Sequence, residues 1–145
     1  MLTKTYDKFI DKLDFVKKNG LIPVIVQDIK TKDILMLAYA NKLAIENTLK
    51  TGNAWFWSVS RNKLWMKGEE SGNIQQVKDI LVDCDYDSVI YLVDSRNPAC
   101  HTGNRSCFHN RLYSQENWQF AILFCNNYMD FWINTIFDLY DVYSL

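Results

Sequence analysis

Apolar residues at Tyr6, Phe9, Ile10, Leu13 and Val16 recur at steps of three, one, three and three, which is one face of a helix. Charged residues fill its other side, and Asn19-Gly20 supplies a stop. Residues 21–27 and 33–40 are apolar and partly β-branched, with Asp28-Ile29-Lys30-Thr31-Lys32 between them, so the pattern predicts a hairpin with a five-residue loop. Asn41 stands at an N-cap position, Leu43, Ile45 and Leu49 give apolar contacts, and Gly52 closes a short helix. Residues 54–60 and 63–67 form a second pair of strands around Arg61-Asn62, and a polar, glycine-bounded loop runs from Gly68 to Asn73. Residues 74–83 alternate as a strand, with Gln75, Val77, Asp79 and Leu81 on one face and Gln76, Lys78, Ile80 and Val82 on the other. Residues 88–93 are a further β-like run, broken by Asp94-Ser95-Arg96-Asn97-Pro98. Few helices among paired extended runs predict an α+β fold with a mostly antiparallel sheet.

The pattern changes in the tail, from about Asn117. No Lys or Arg follows Arg111, and Asn127, Asp130, Asn134, Asp138 and Asp141 form one helical stripe. Phe131, Trp132, Ile136, Phe137 and Tyr140 surround it. A helix with so wide an apolar surface is expected to bury it, against the main sheet or a second subunit. Its polar face carries acids rather than Lys and Arg, which argues against a membrane surface. The expected organisation is one domain over residues 1–113 and a helical tail over 114–145, without internal repeats or a low-complexity linker.

Composition narrows the classes. A chain of 145 residues with 48% apolar and 23% charged residues is an ordinary globular domain. A net charge of -1 gives no electrostatic footprint for nucleic acid. The first residues lack the apolar core of a signal peptide, and no run approaches the ~20 apolar residues that span a bilayer. The expectation is a cytoplasmic protein with reduced thiols, in which four cysteines point to metal binding or catalysis rather than disulfides.

The chemistry concentrates in Asp83-Cys84-Asp85-Tyr86-Asp87 and Cys100-His101-Thr102-Gly103-Asn104-Arg105-Ser106-Cys107. In extended chain Asp83, Asp85 and Asp87 would share one face and Cys84 the other, offering carboxylates to a hard cation and a thiolate to a soft one. Cys84, Cys100 and Cys107 lack the Cys-x2-Cys pairing of a structural zinc site; three protein ligands with an open fourth position is the pattern of a catalytic zinc. His101, beside one of these cysteines, would carry a proton. The plainer alternative is three reduced core cysteines with a satisfied histidine, although the 100–107 loop is too polar for core. For the aspartates the alternative is a solvated acidic turn. An EF-hand is excluded because Ser88 replaces the glycine, Asp94 replaces the final Glu, and the flanks are strands. The His-x-Glu and Pro-Cys-x-x-Cys signatures of zinc deaminases are absent. A Cys–His nucleophile is disfavoured because adjacent Cys100 and His101 point apart in extended chain. Cys125, in an apolar run, belongs to packing.

Six blocks in order carry a resemblance: Pro23…Gln27-Asp28; Leu35-Met36-Leu37-Ala38; Trp57-Ser58-x-Ser60-Arg61; Leu64-Trp65-x-Lys67-Gly68-Glu69-x-Ser71-Gly72-Asn73; Asp83-Cys84-Asp85-x-Asp87; and Cys100-His101-Thr102-Gly103-x-Arg105-Ser106-Cys107-Phe108. Over residues 19–113 the chain resembles the phosphoribosyl-AMP cyclohydrolases of histidine biosynthesis. The resemblance implies hydrolytic opening of the adenine ring of phosphoribosyl-AMP: water adds at C6 and the N1–C6 bond breaks, giving the formimino-carboxamide ribonucleotide. It implies a roll-like sheet in an intertwined homodimer. Zinc would be held by Cys84 of one chain and Cys100 and Cys107 of the other, and magnesium by Asp83, Asp85 and Asp87. His101 would be the catalytic proton carrier. Zinc brings the pKa of bound water to about 7; three thiolates would blunt that effect, and His101 would compensate by accepting the proton. Two phosphate groups suit magnesium and basic side chains, for which Arg61, Lys63, Lys67 and Arg105 lie in the right blocks. Trp65 would stack on a base or pack the core. Ser71, Gly72 and Asn73 would present N–H groups to a phosphate or form a plain turn. The tail lies outside the resemblance and is too short for the pyrophosphohydrolase domain fused to some relatives. The competing expectation is a non-catalytic zinc-binding dimerisation module.

Overall fold

The computed structural model describes residues 8–114. The predicted tail helix and Cys125 lie outside them, as does Tyr6. The chain divides into two units, Met1–His109 and Asn110–Leu145, and the architecture below is that of the first.

Alternation builds the centre of the sheet. In β1 (Ile22–Asp28) Ile22, Val24, Val26 and Asp28 are buried and the residues between them half-buried. β2 (Ile34–Ala40) pairs antiparallel with it across a five-residue loop, as expected from the hairpin pattern. That loop closes on Asp28, whose Oδ1 accepts the N–H groups of Lys30 at 2.8 Å and Thr31 at 2.9 Å. Helix α1 (Lys42–Thr51) begins where Asn41 Oδ1 accepts the Ala44 N–H at 2.9 Å. It ends at Gly52, whose φ of 72° is the left-handed cap that glycine adopts without strain. Its buried Thr48 hydroxyl donates to the Ala44 carbonyl and accepts from the Trp55 N–H at 3.0 Å and the Tyr91 hydroxyl at 3.2 Å. One side chain thus keys the helix to two strands.

The remaining strands are β3 (Trp55–Ser58), β4 (Lys63–Met66), β5 (Gln76–Val82) and β6 (Val89–Asp94), in the sheet order β4-β3-β2-β1-β6-β5. Only the central β1·β6 pair is parallel. The expected α+β, mostly antiparallel architecture therefore holds. The core face carries Val24, Val26, Leu35, Phe56, Tyr91 and Val93, with Ala44 and Ile45 of α1 against it. The opposite face is also apolar: Leu37 pairs with Ile25, Ile25 with Ile90, and Ile90 with Leu81 across four strands, with Tyr39 next to Trp57. Leu37 and Leu81 there are 47% and 45% exposed.

The structure corrects two expectations. The first helix does not run to Val16: the chain is helical only to Ile10, and Val16–Lys18 form a separate 3-10 turn. Asp14 is the cause, because its Oδ1 accepts the N–H groups of Val16 at 3.0 Å and Lys17 at 3.2 Å and starts a new turn. In β5 a bulge between Val77 and Asp79 shifts the register, so Val77 and Ile80 both pack toward the core and the expected two-residue alternation fails.

Candidate metal and substrate site

Past β6 the chain forms a tight loop. Ala99 N–H donates to Arg105 O, Cys100 N–H to Asn104 O and Gly103 N–H to Cys100 O, each at 3.1 Å, and Gly103 takes a φ of 86°. The end of the loop is fastened to the start of β2: Cys107 N–H donates to Leu35 O at 2.8 Å and Ser106 Oγ to Ile34 O at 2.6 Å. Arg105 braces it from the side. Its guanidinium donates to buried Asp28 at 2.9 Å, to Asp33 at 3.3 Å, and to Thr31 Oγ1 and the Ser95 carbonyl at 3.4 Å. Burial works against the Asp28 charge, but the Thr31 and Lys30 N–H groups and Arg105 outweigh it and hold the carboxyl below its usual pKa.

This fastening brings Cys100 and Cys107 together, seven positions apart in sequence, so that their thiols interact. Cys100 is buried and its Sγ lies 3.0 Å from Thr102 Oγ1. The Thr102 hydroxyl and N–H, then Cys107 and the Lys67 charge, draw the Cys100 pKa down against desolvation. Cys107 moves the other way, through desolvation and the neighbouring Cys100. Cys100 is therefore the sulfur of the pair that ionises first, and a soft cation would take both as thiolates. Lys67 Nζ donates to the Ala99 carbonyl at 2.5 Å, beside the pair. His101 is exposed on the same loop. Cys84 is exposed in the β5–β6 connection and joins no three-residue ligand group with Cys100 and Cys107 among the described residues.

The aspartates do converge, but not by alternation. Residues 83–88 form a turn between β5 and β6, with Tyr86 at a φ of 62°, and this corrects the expected extended segment. Side-chain oxygens of Asp83, Asp85 and Asp87 lie within 4.8 Å of one another. Asp83 orders the turn: its Oδ2 accepts the Ser88 hydroxyl at 2.6 Å, and its Oδ1 the N–H groups of Asp87 at 3.0 Å and Ser88 at 3.2 Å. The Ser88 hydroxyl, ahead of the N–H groups, holds the Asp83 pKa down to about 2. Asp14 N–H donates to the Tyr86 carbonyl at 2.7 Å, which seats the 3-10 turn here. Lys17 Nζ then lies 2.6 Å from Asp85 and 3.3 Å from Asp87, and its own pKa rises, through Asp85 first.

The sequence model of the family described as phosphoribosyl-AMP cyclohydrolase matches residues 36–109. A phosphoribosyl-AMP cyclohydrolase of Nitrosopumilus maritimus is 63% identical over 106 residues, covering 73% of this chain and 98% of its own length. That of Archaeoglobus fulgidus is 61% identical over 105 residues, 72% of this chain and 96% of its own. That of Clostridium beijerinckii is 51% identical over 105 residues, with the same two coverages. The chain belongs to the phosphoribosyl-AMP cyclohydrolase family. The family match takes in the thiol loop, the aspartate turn and the Trp65–Asn73 block, whereas Lys17 precedes it.

Within that family frame, the remaining sequence-derived positions divide by what they touch. Trp65 packs on Phe56 with ring centroids 5.0 Å apart, and the Arg61 guanidinium lies 6.0 Å above its ring. Lys63 is exposed. Gly72 N–H donates to Gly68 O and Asn73 N–H to Ser71 Oγ, so two of the three N–H groups proposed for a phosphate are taken up inside the turn. At Gly68 an added Cβ would collide with the Asn73 carbonyl carbon and the Ile74 nitrogen, so only glycine fits. Arg105 is exposed, and its guanidinium already donates to Asp28, Asp33, Thr31 and the Ser95 carbonyl. An apolar cavity of about 360 Å³ between α1 and β5, lined by Ile10, Leu49 and Val77 among others, has none of these residues in its lining. Sequence reasoning missed Lys17, because nothing local marks a lysine 68 residues from its partner. It also missed the hydroxyl of Thr102, which lay unremarked inside a quoted motif.

Proposed function

We propose that this chain hydrolyses the adenine ring of phosphoribosyl-AMP to the formimino-carboxamide ribonucleotide in histidine biosynthesis, as a cytoplasmic homodimer using zinc and magnesium. Membership of the family carries the activity, through near-complete coverage of relatives that bear this name. The Cys100–Cys107 pair carries the site. Two interacting thiols, one predisposed to ionise and both beside Lys67, suit a soft divalent cation. Cys84 of a second copy would complete the set, since it lies apart from the pair in its own chain. The aspartate turn offers clustered carboxylates, one of them strongly acidic, to a hard cation.

Bound zinc would supply a water with a pKa near ~7. The protein's own groups do the rest. A ring nitrogen of His101 accepts the proton of the water that attacks C6 and returns it to N1 as the N1–C6 bond breaks. Thr102 holds the Cys100 sulfur in place, and Arg105 holds the loop that carries both. The aspartate turn, through magnesium, and Lys67 would face the substrate's phosphates.

The test is metal analysis combined with an absorbance assay for loss of the purine ring. Cys107→Ser should lose both zinc and turnover. A Cys107→Ser protein that is zinc-free and still active overturns the assignment. No helix among the described residues is long and apolar enough to cross a membrane.

A further inference from the structure

Gln75 is not explained by the fold of a single chain. It follows directly on the 68–73 loop and is 1% exposed, and neither its amide nitrogen nor its amide oxygen has a hydrogen-bond partner among the described residues. Gln76 beside it is exposed and Val77 packs toward the core, so alternation turns the Gln75 side chain inward. Enclosing an amide without partners costs stability that an apolar side chain of the same shape would not lose. Such a group is a candidate for a bond completed by another molecule.

Its position says which molecule. The Gln75 carbonyl accepts the Ala54 N–H at 3.0 Å, and the Ala54 carbonyl accepts the Lys67 N–H at 2.9 Å. Lys67 in turn reaches Ala99, next to Cys100. On the other side Gln76 pairs with Asp94, which sets Gln75 level with Ser95, where the chain leaves the sheet for the thiol loop. The Gln75 main chain is thus linked, through Ala54 and Lys67, to Ala99 beside Cys100, and its side chain is on the face away from the exposed apolar side of the sheet.

We propose that Gln75 recognises the purine base of the nucleotide. A glutamine amide sets a donor beside an acceptor, the complement of the N6/N7 edge of adenine. The 68–73 loop ahead of it is held by bonds internal to residues 66–74 (Glu69 N–H to Met66 O, Gly72 N–H to Gly68 O, Ile74 N–H to Gly72 O), and binding a base would require the groups that enclose the amide to move aside. The inference rests on the nucleotide-binding part of the function proposed above and not on the ring opening itself.

The experiment compares the wild-type protein with Gln75→Met. Calorimetry measures binding of AMP and of the purine ribonucleotide that lacks the 6-amino group. Denaturant unfolding and turnover of phosphoribosyl-AMP are followed alongside. The wild type should prefer AMP by roughly tenfold, and Gln75→Met should lose that preference and about tenfold in kcat/KM while unfolding at the same or higher denaturant concentration. A wild type that binds both nucleotides equally overturns the proposal, whatever the variant does. So does a variant with unchanged preference and turnover, or one that is less stable, which would make the amide structural. If the wild-type protein binds AMP selectively but never opens the ring, the function proposed above fails and this inference survives.

Discussion

At the scale of single residues, the site is built by hydrogen bonds that decide where charge resides. Asp83 is the clearest case. It is a half-buried carboxyl, and the Ser88 hydroxyl and two N–H groups stabilise its charged form and bring its pKa to about 2. A depressed folded-state pKa contributes stability that is present above the unfolded pKa of about 3.9 and lost as pH falls toward about 2. Ser88→Ala should therefore lower the thermal midpoint of the chelator-treated protein at neutral pH, and the gap to wild type should close as the pH is taken from about 4 down to about 2. Melting curves across that window check it, and a gap that persists unchanged at the acid end would mean that Ser88 acts through packing instead. The same logic runs in opposite directions at Cys100 and Cys107, where one thiol is made more acidic by Thr102 and the other less so by its surroundings.

At the scale of elements, the aspartate turn is joined to the 3-10 turn that precedes the sheet. Asp14 bonds the Tyr86 carbonyl, and that contact holds Lys17 over Asp85 and Asp87. Lys17 is then a tethered cation on carboxylates that a divalent ion would also use. Replacing Lys17 by Met should tighten magnesium binding a few-fold, with the difference shrinking as ionic strength rises, because exposed pairs are weak and screened. Titration calorimetry at low and high salt measures this, and equal affinities at low salt would remove Lys17 from the account. The same elements show what was legible in sequence. The β1–β2 hairpin, the Asn41 and Gly52 caps, and the strands around Arg61-Asn62 each carry their signal locally, within a few residues of the structure they form. The first helix failed because Asp14, a single polar side chain on the charged side, competes for backbone N–H groups that the apolar period cannot see. The β5 faces failed because a bulge is set by pairing with β6, not by β5 itself. The aspartate cluster was found for a partly wrong reason: alternation would align the carboxylates, but a turn ordered by Ser88 gathers them. Arg105 was visible as a basic residue in the right block, while its four partners on the β1–β2 loop and at Ser95 come only from the folded chain.

At the scale of the whole molecule, the ligand set proposed for zinc is incomplete within one copy. Cys100 and Cys107 lie together, Cys84 joins no ligand group with them among the described residues, and the sheet carries an apolar row of Leu37, Ile25, Ile90 and Leu81 of which Leu37 and Leu81 are about half exposed. A symmetric dimer resolves both, if each zinc takes Cys84 from one subunit and the thiol pair from the other. Mixing two inactive variants tests this arrangement directly. Cys84→Ser spoils one contribution and Cys107→Ser the other. In a mixed dimer one site combines both defects, and the second combines the intact Cys84 with the intact pair. Random exchange of equal amounts makes about half of the dimers mixed, each with one working site of two, so activity should return to about a quarter of wild type. Zinc content should rise in the same proportion after unfolding and refolding the two variants together, and not after refolding each alone. If all three sulfurs came from one chain, no combination of these subunits would contain an intact set. Activity would then stay at the level of the separate variants however long they were allowed to exchange.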